Sequence, residues 1–123
     1  MTTILLDSVI LIDHLNDVTA ATSYLRKVRG DAGVSVITRA EVLTGYEPNG
    51  VQVALALLDS FPVFAITKEI ADLTARLRRQ HRWKLPDAFQ AAIAQANQLQ
   101  LATRNTKDFD PARFSFVTVP YAI

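Results

Sequence analysis

Short apolar, β-rich runs alternate along the chain with segments whose apolar residues recur at helical spacing. Residues 3–6 (Thr-Ile-Leu-Leu) read as a short buried strand, stopped by Asp7 and Ser8, with Ser8 available to cap a helix through His14–Leu15. A second helix is expected from about Thr19 to Arg29, with Gly30 as its stop. Residues 33–37 (Gly-Val-Ser-Val-Ile) form the next strand, a helix runs from about Arg39 to Gly45, and Pro48-Asn49-Gly50 makes a turn. Residues 51–60 read as a helix that is apolar nearly all round. Residues 62–66 are a third strand, and Thr67 caps a helix reaching about Gln80. Pro86 suits the first residue of a helix through about Gln98. Residues 100–103 and 115–119 supply a fourth and a last strand.

Strands alternating with helices argue for a parallel sheet covered on both faces. The expected fold class is α/β, a three-layer α/β/α sandwich around a mostly parallel sheet of four to five strands. No repeat, linker or low-complexity tract interrupts the pattern, so residues 1–123 are read as one domain.

Composition narrows the chemistry. Half of the 123 residues are apolar, which argues against disorder. A net charge of +1 gives no global field toward nucleic acid or lipid, so any steering comes from a local patch. The absence of cysteine excludes disulfides, thiolate zinc sites and cysteine nucleophiles, and His14 and His81 are too far apart for a short histidine metal motif. The first basic residue is Arg26, unlike a secretory signal, and no apolar run approaches the ~20 residues of a membrane helix. A cytoplasmic protein without a membrane span is expected.

In an open α/β sheet, ligands collect at the carboxyl ends of the strands. Asp7 ends strand one, Glu41 lies in the first turn of the helix after strand two, Asp87 follows Pro86 in the first turn of its helix, and Asp108 follows strand four. These acids come from four separate segments and are expected on one sheet edge. Clustered carboxylates repel one another and raise each other's pKa; a divalent cation removes the conflict. Oxygen-only donors select a hard ion, Mg²⁺ or Mn²⁺. Such an ion suits phosphodiester hydrolysis, polarising a phosphoryl oxygen and activating water.

Four motifs then resemble a known family. Ile4-Leu5-Leu6-Asp7-Ser8 is similar to the opening of PIN domains, and Ile37-Thr38-Arg39-Ala40-Glu41-Val42-Leu43-Thr44-Gly45 to their second motif. Leu85-Pro86-Asp87-Ala88-Phe89-Gln90-Ala91-Ala92-Ile93-Ala94 resembles the third, and Leu101-Ala102-Thr103-Arg104-Asn105-Thr106-Lys107-Asp108-Phe109 the fourth. The motifs run in order over almost the whole chain. The resemblance implies a PIN fold and an endoribonuclease with Asp7, Glu41 and Asp87 as metal-site acids, using Mg²⁺, with Mn²⁺ as a substitute. Many PIN domains carry Asp where this chain has Asn105, so either Asp108 supplies the fourth charge or Asn105 a neutral oxygen. Ser8 and Thr103 match positions that support the site by hydrogen bonding. VapC-type members act as toxins paired with a VapB-type antitoxin and commonly form homodimers.

Each signal also has a plainer reading. Thr38-x-x-Glu41 is a good capping box, and Asp87 suits a helix N-terminus electrostatically. Arg76, Arg78, Arg79, His81, Arg82 and Lys84 crowd around Trp83, either as a solvated helix end or as an RNA-binding patch in which Trp83 stacks on a base. Arg104 and Lys107 flank the site and could hold phosphate. The apolar helix over 51–60 is a core element or, with Tyr46 and Leu55, a face for an antitoxin or a second copy. Competing functions are a DNA nuclease of the same fold, a PIN scaffold without catalysis, which Asn105 keeps open, and a receiver-like signalling domain. The last needs an Asp ending strand three, where Phe64-Ala65-Ile66-Thr67 has none.

Overall fold

The computed structural model describes residues 1–123. Its strands are β1 (Ile4–Leu6), β2 (Ala32–Ser35), β3 (Val63–Phe64), β4 (Gln100–Ala102) and β5 (Val117–Thr118). Its helices are α1 (Ser8–Leu15), α2 (Thr19–Val28), α3 (Val36–Thr44), α4 (Gln52–Asp59), α5 (Lys68–His81) and α6 (Leu85–Ala96). All five strands are parallel, in the order β3-β2-β1-β4-β5. The chain therefore builds outward from β1 in one direction, then crosses back to add β4 and β5 on the other side. The reversal lies between β1 and β4, whose registers pair Leu5 with Leu101 and Leu6 with Ala102.

Period-two alternation divides the sheet between two cores. Leu5 and Leu101 face a cluster with α5, α6, Trp83 and Phe109. Leu6, Val34 and Ala102 face a second cluster with α1, α2, α3 and α4. Helices on both faces explain why β1 is apolar throughout rather than alternating with polar residues. Gly33 in β2 is dictated by its neighbours: a Cβ there would sit 2.7 Å from the Phe64 ring and 3.1 Å from the Pro62 carbonyl oxygen.

Two local expectations are corrected, and one left open is narrowed. Ser8 does not cap α1; Asp7 does, accepting from the Ser8 N–H at 2.9 Å. The helix after strand two starts at Val36, earlier than Arg39, because the Ser35 hydroxyl accepts from the Thr38 N–H at 3.1 Å. The Thr38–Glu41 capping box is therefore not formed, and Glu41 projects from the second turn. Helix α4 is not covered all round. It buries Ala54 and Leu58, whereas Val53 stays 71% exposed and Leu55 and Leu57 only half-buried.

Candidate metal centre at the sheet edge

The site is assembled at the carboxyl ends of β1 and β4, where the strand order reverses and open α/β sheets bind their ligands. Asp7 leaves β1 and is only 6% exposed. Its carboxylate meets three donors and no cation. On Oδ1 it accepts from the Ser8 N–H at 2.9 Å and the Gln90 amide at 3.4 Å; on Oδ2 it accepts from the Thr103 hydroxyl at 2.7 Å. Burial raises the Asp7 pKa, and the bonds from Thr103, Ser8 and Gln90 oppose that rise.

Asp87 projects from the first turn of α6, which Pro86 helps to start. Burial and the charges of Asp7, Asp108 and Glu41 push its pKa up to about 6, against a smaller opposing pull from Lys84. Glu41 is raised too, by burial and by Asp7, with the Ser8 hydroxyl acting in the opposite sense. The other three sequence-predicted acids thus all act electrostatically on Asp87, and Asp7 also acts on Glu41. No three Asp, Glu or His side chains stand close enough to close directly on one ion. Mg²⁺ does not demand that: it keeps several of its waters and leans on one or two carboxylates. The all-oxygen donor set and the mutual repulsion felt by Asp87 fit such an ion.

The supporting residues fall into place unevenly. Thr103 is fully buried; its hydroxyl donates to Asp7 and accepts from the Asn105 N–H at 3.0 Å. The Asn105 side-chain amide donates to Asp108 Oδ2 at 3.0 Å, so the two candidates for the fourth position are hydrogen-bonded to each other. Lys84, Arg82 and Lys107 are exposed and in no ion pair. Arg82 adopts φ 59° at the end of α5, a left-handed turn that redirects the chain toward Trp83 and α6.

Two residues do not stand where the sequence suggested. Trp83 is 5% exposed, stacked on His81 and packed against Phe109 and Phe114, with its indole N–H donated to the Asp108 carbonyl at 3.1 Å. It is a core residue bracing the Asp108 loop, and it has no free face for a base. Arg104 is committed to Asp13 through two bonds of 2.7 and 2.9 Å, and Tyr121 donates to the same carboxylate at 2.8 Å. Two of its three guanidinium nitrogens are thus taken by Asp13.

Sequence reasoning missed a buried polar layer beneath Asp7. Ser35, Thr38 and Gln90 are each 0–1% exposed. The Ser35 hydroxyl donates to Gln90 Oε1 at 2.7 Å, Gln90 Nε2 donates to Thr38 Oγ1 at 2.6 Å, and the Thr38 hydroxyl donates to the Leu6 carbonyl at 3.2 Å. The available signal was Gln90 itself, a lone polar residue in the run Ala88-Phe89-Gln90-Ala91-Ala92-Ile93-Ala94, three positions after Asp87 and so on its helix face.

Known proteins agree with this architecture. The model of the PIN domain family matches residues 4–114. A Mycobacterium tuberculosis protein named Ribonuclease VapC10 is 38% identical over 127 aligned positions, covering 98% of this chain and 94% of the relative. A chain of a toxin–antitoxin complex from Klebsiella pneumoniae superposes with a TM-score of 0.90 at 35% identity, covering 98% of this chain and all of that one. A chain of DNA-bound VapBC from Salmonella typhimurium shares the fold at a TM-score of 0.78 and 18% identity, over 89% of this chain and 92% of that one. With the motifs, the strand order and the acidic edge in agreement, the chain belongs to the PIN domain family, of the VapC type.

Proposed function

We propose that this protein is a Mg²⁺-dependent endoribonuclease, the toxin of a VapBC-type pair, and that residues 1–123 act as one cytoplasmic PIN domain. The observation that carries the reading is the gathering of Asp7, Glu41 and Asp108 around Asp87 at the carboxyl edge of the sheet, where their charges and burial push Asp87 up to about 6. Asp7 and Asp87 would hold the divalent cation directly, and Glu41 and Asp108 would do so through its waters. When bound, the ion would polarise a phosphoryl oxygen and lower the pKa of water for attack on the phosphodiester.

The chain's own residues have separate tasks. Thr103, Ser8 and Gln90 fix the Asp7 carboxylate, and Asn105 fixes Asp108. Exposed Lys84, Arg82 and Lys107 would meet the RNA backbone, where cations track phosphate. The relatives named a ribonuclease and a toxin–antitoxin chain support RNA as substrate and a VapB-like antitoxin as partner. Exposed Val53 and half-buried Leu55 and Leu57 leave α4 with apolar surface suited to the antitoxin or to a homodimer.

Cleavage of a fluorogenic RNA by purified protein tests the reading. Activity should vanish in excess chelator and return with Mg²⁺ or Mn²⁺. Full activity in chelator, or none under any metal, overturns it.

A further inference from the structure

Gln90 sits at the hub of the buried layer beneath the metal centre. A carboxylate can only accept, so Asp7 needs a donor from the amide. The Thr38 hydroxyl has committed its proton to the Leu6 carbonyl, so it too needs a donor. The Ser35 hydroxyl accepts from the Thr38 N–H and donates to the amide oxygen. These demands fix the amide in one orientation, with Nε2 toward Thr38 and Asp7 and Oε1 toward Ser35; the flipped amide would set its oxygen against a carboxylate.

That fixed amide limits what Asp7 can do. A carboxylate offers about four lone-pair positions. The Ser8 N–H and Gln90 occupy Oδ1, and the Thr103 hydroxyl takes one position on Oδ2. The carboxylate is left with one free direction, on Oδ2. The donors come from α1, α6 and the end of β4, so the carboxylate plane is held by three elements at once. At 3.4 Å the Gln90 contact is long, and its importance lies in direction rather than strength.

We propose that Gln90 is a positioning residue, which uses the Ser35–Thr38 hydroxyl pair to lock its amide and thereby aims a single Asp7 lone pair at the cation. The proposal rests on the metal-centre reading above and adds a residue to it. Ser35 and Thr38 connect the β2–α3 junction, the segment that carries Glu41, to the same amide. Two acid-bearing segments are thus tied together beneath the surface.

The test is Mn²⁺ binding by calorimetry, alongside kcat and KM on a fluorogenic RNA, for wild type, Gln90→Met and Thr38→Val. Gln90→Met keeps length and loses every polar contact. It should weaken Mn²⁺ binding and lower kcat by about 10-fold or more, as expected for a group that orients a metal ligand, with KM little changed. Thr38→Val keeps shape and frees the amide to turn; it should shift both quantities in the same direction by a smaller factor, and it serves as the test if Gln90→Met does not fold. Folded variants with Mn²⁺ affinity and kcat within twofold of wild type overturn the positioning role while leaving the metal centre standing. Absence of Asp7-dependent Mn²⁺ binding in the wild-type protein overturns both.

Discussion

Asp7 and Asp13 lie six positions apart, one capping α1 and the other inside it, and are each 6% exposed, yet their pKa values move in opposite directions. Asp7 is met by neutral donors only, and burial raises its pKa. Asp13 receives two bonds from the Arg104 guanidinium and one from the Tyr121 hydroxyl, and Arg104 holds its pKa below the ordinary carboxylate value. One carboxylate has its counter-charge within the chain; the other has been buried without one. A buried charge lacking a partner costs stability, and chains tolerate it where a function requires it. The Asp13 cluster joins α1, the loop after β4 and the C-terminal segment, so it ties three parts of the chain together.

The most forceful way to break this contrast is Asp7→Asn. RNA cleavage should fall by more than about 100-fold, since losing the residue that holds the ion should exceed the 10–100-fold typical of losing one of its outer partners. The melting temperature should stay level or rise, because the amide removes a buried charge. A cleavage-competent Asp7→Asn protein, or one that melts well below wild type, would place Asp7 with Asp13 as a structural acid. Asp13→Asn should behave the other way. It leaves Arg104 without its charge partner and should lower stability by on the order of 2 kcal/mol, read from denaturant unfolding, with cleavage per folded molecule nearly preserved.

Proton linkage sharpens the same contrast. Asp87 has a folded-state pKa of about 6 against an ordinary 3.8, so the folded protein binds more protons and loses stability as pH rises between about 4 and about 7. Added Mg²⁺ should reverse that loss by binding only the folded, deprotonated site, and Asp87→Asn should abolish both effects in thermal scans. Asp13 has the opposite sign. Its stabilisation is present above the ordinary value and disappears as pH falls through the lower folded-state one, so Asp13→Asn should flatten stability only at the acid end. The smallest expected effect is that of Tyr121→Phe, which removes one hydrogen bond to Asp13 and should cost about 1 kcal/mol without changing cleavage. A loss of cleavage there would show that the C-terminal segment reaches the metal centre.

Much of this architecture was readable in one dimension. Strand–helix alternation identified a parallel sheet covered on both faces, and acids at successive strand ends pointed to one edge, because connection handedness leaves few alternatives. Residue type limited which ion could be expected, since oxygen donors without Cys or His suit hard cations. The position of Asp7 at the end of a strand marked it in the sequence, but nothing in the chain's order showed that Asp13 would be paired and Asp7 left with neutral donors only. Their difference arises from Arg104, Tyr121, Thr103 and Gln90, all more than 75 positions away in sequence and brought close by β4, α6 and the last segment. The same holds for Trp83, whose run was read as a solvated helix end or a base-stacking patch and whose ring lies beneath the Asp108 loop. Pattern and residue chemistry act over a few positions and so can be read along the chain. Desolvation and the pairing of charges depend on which distant segments meet, and only the folded chain decides that.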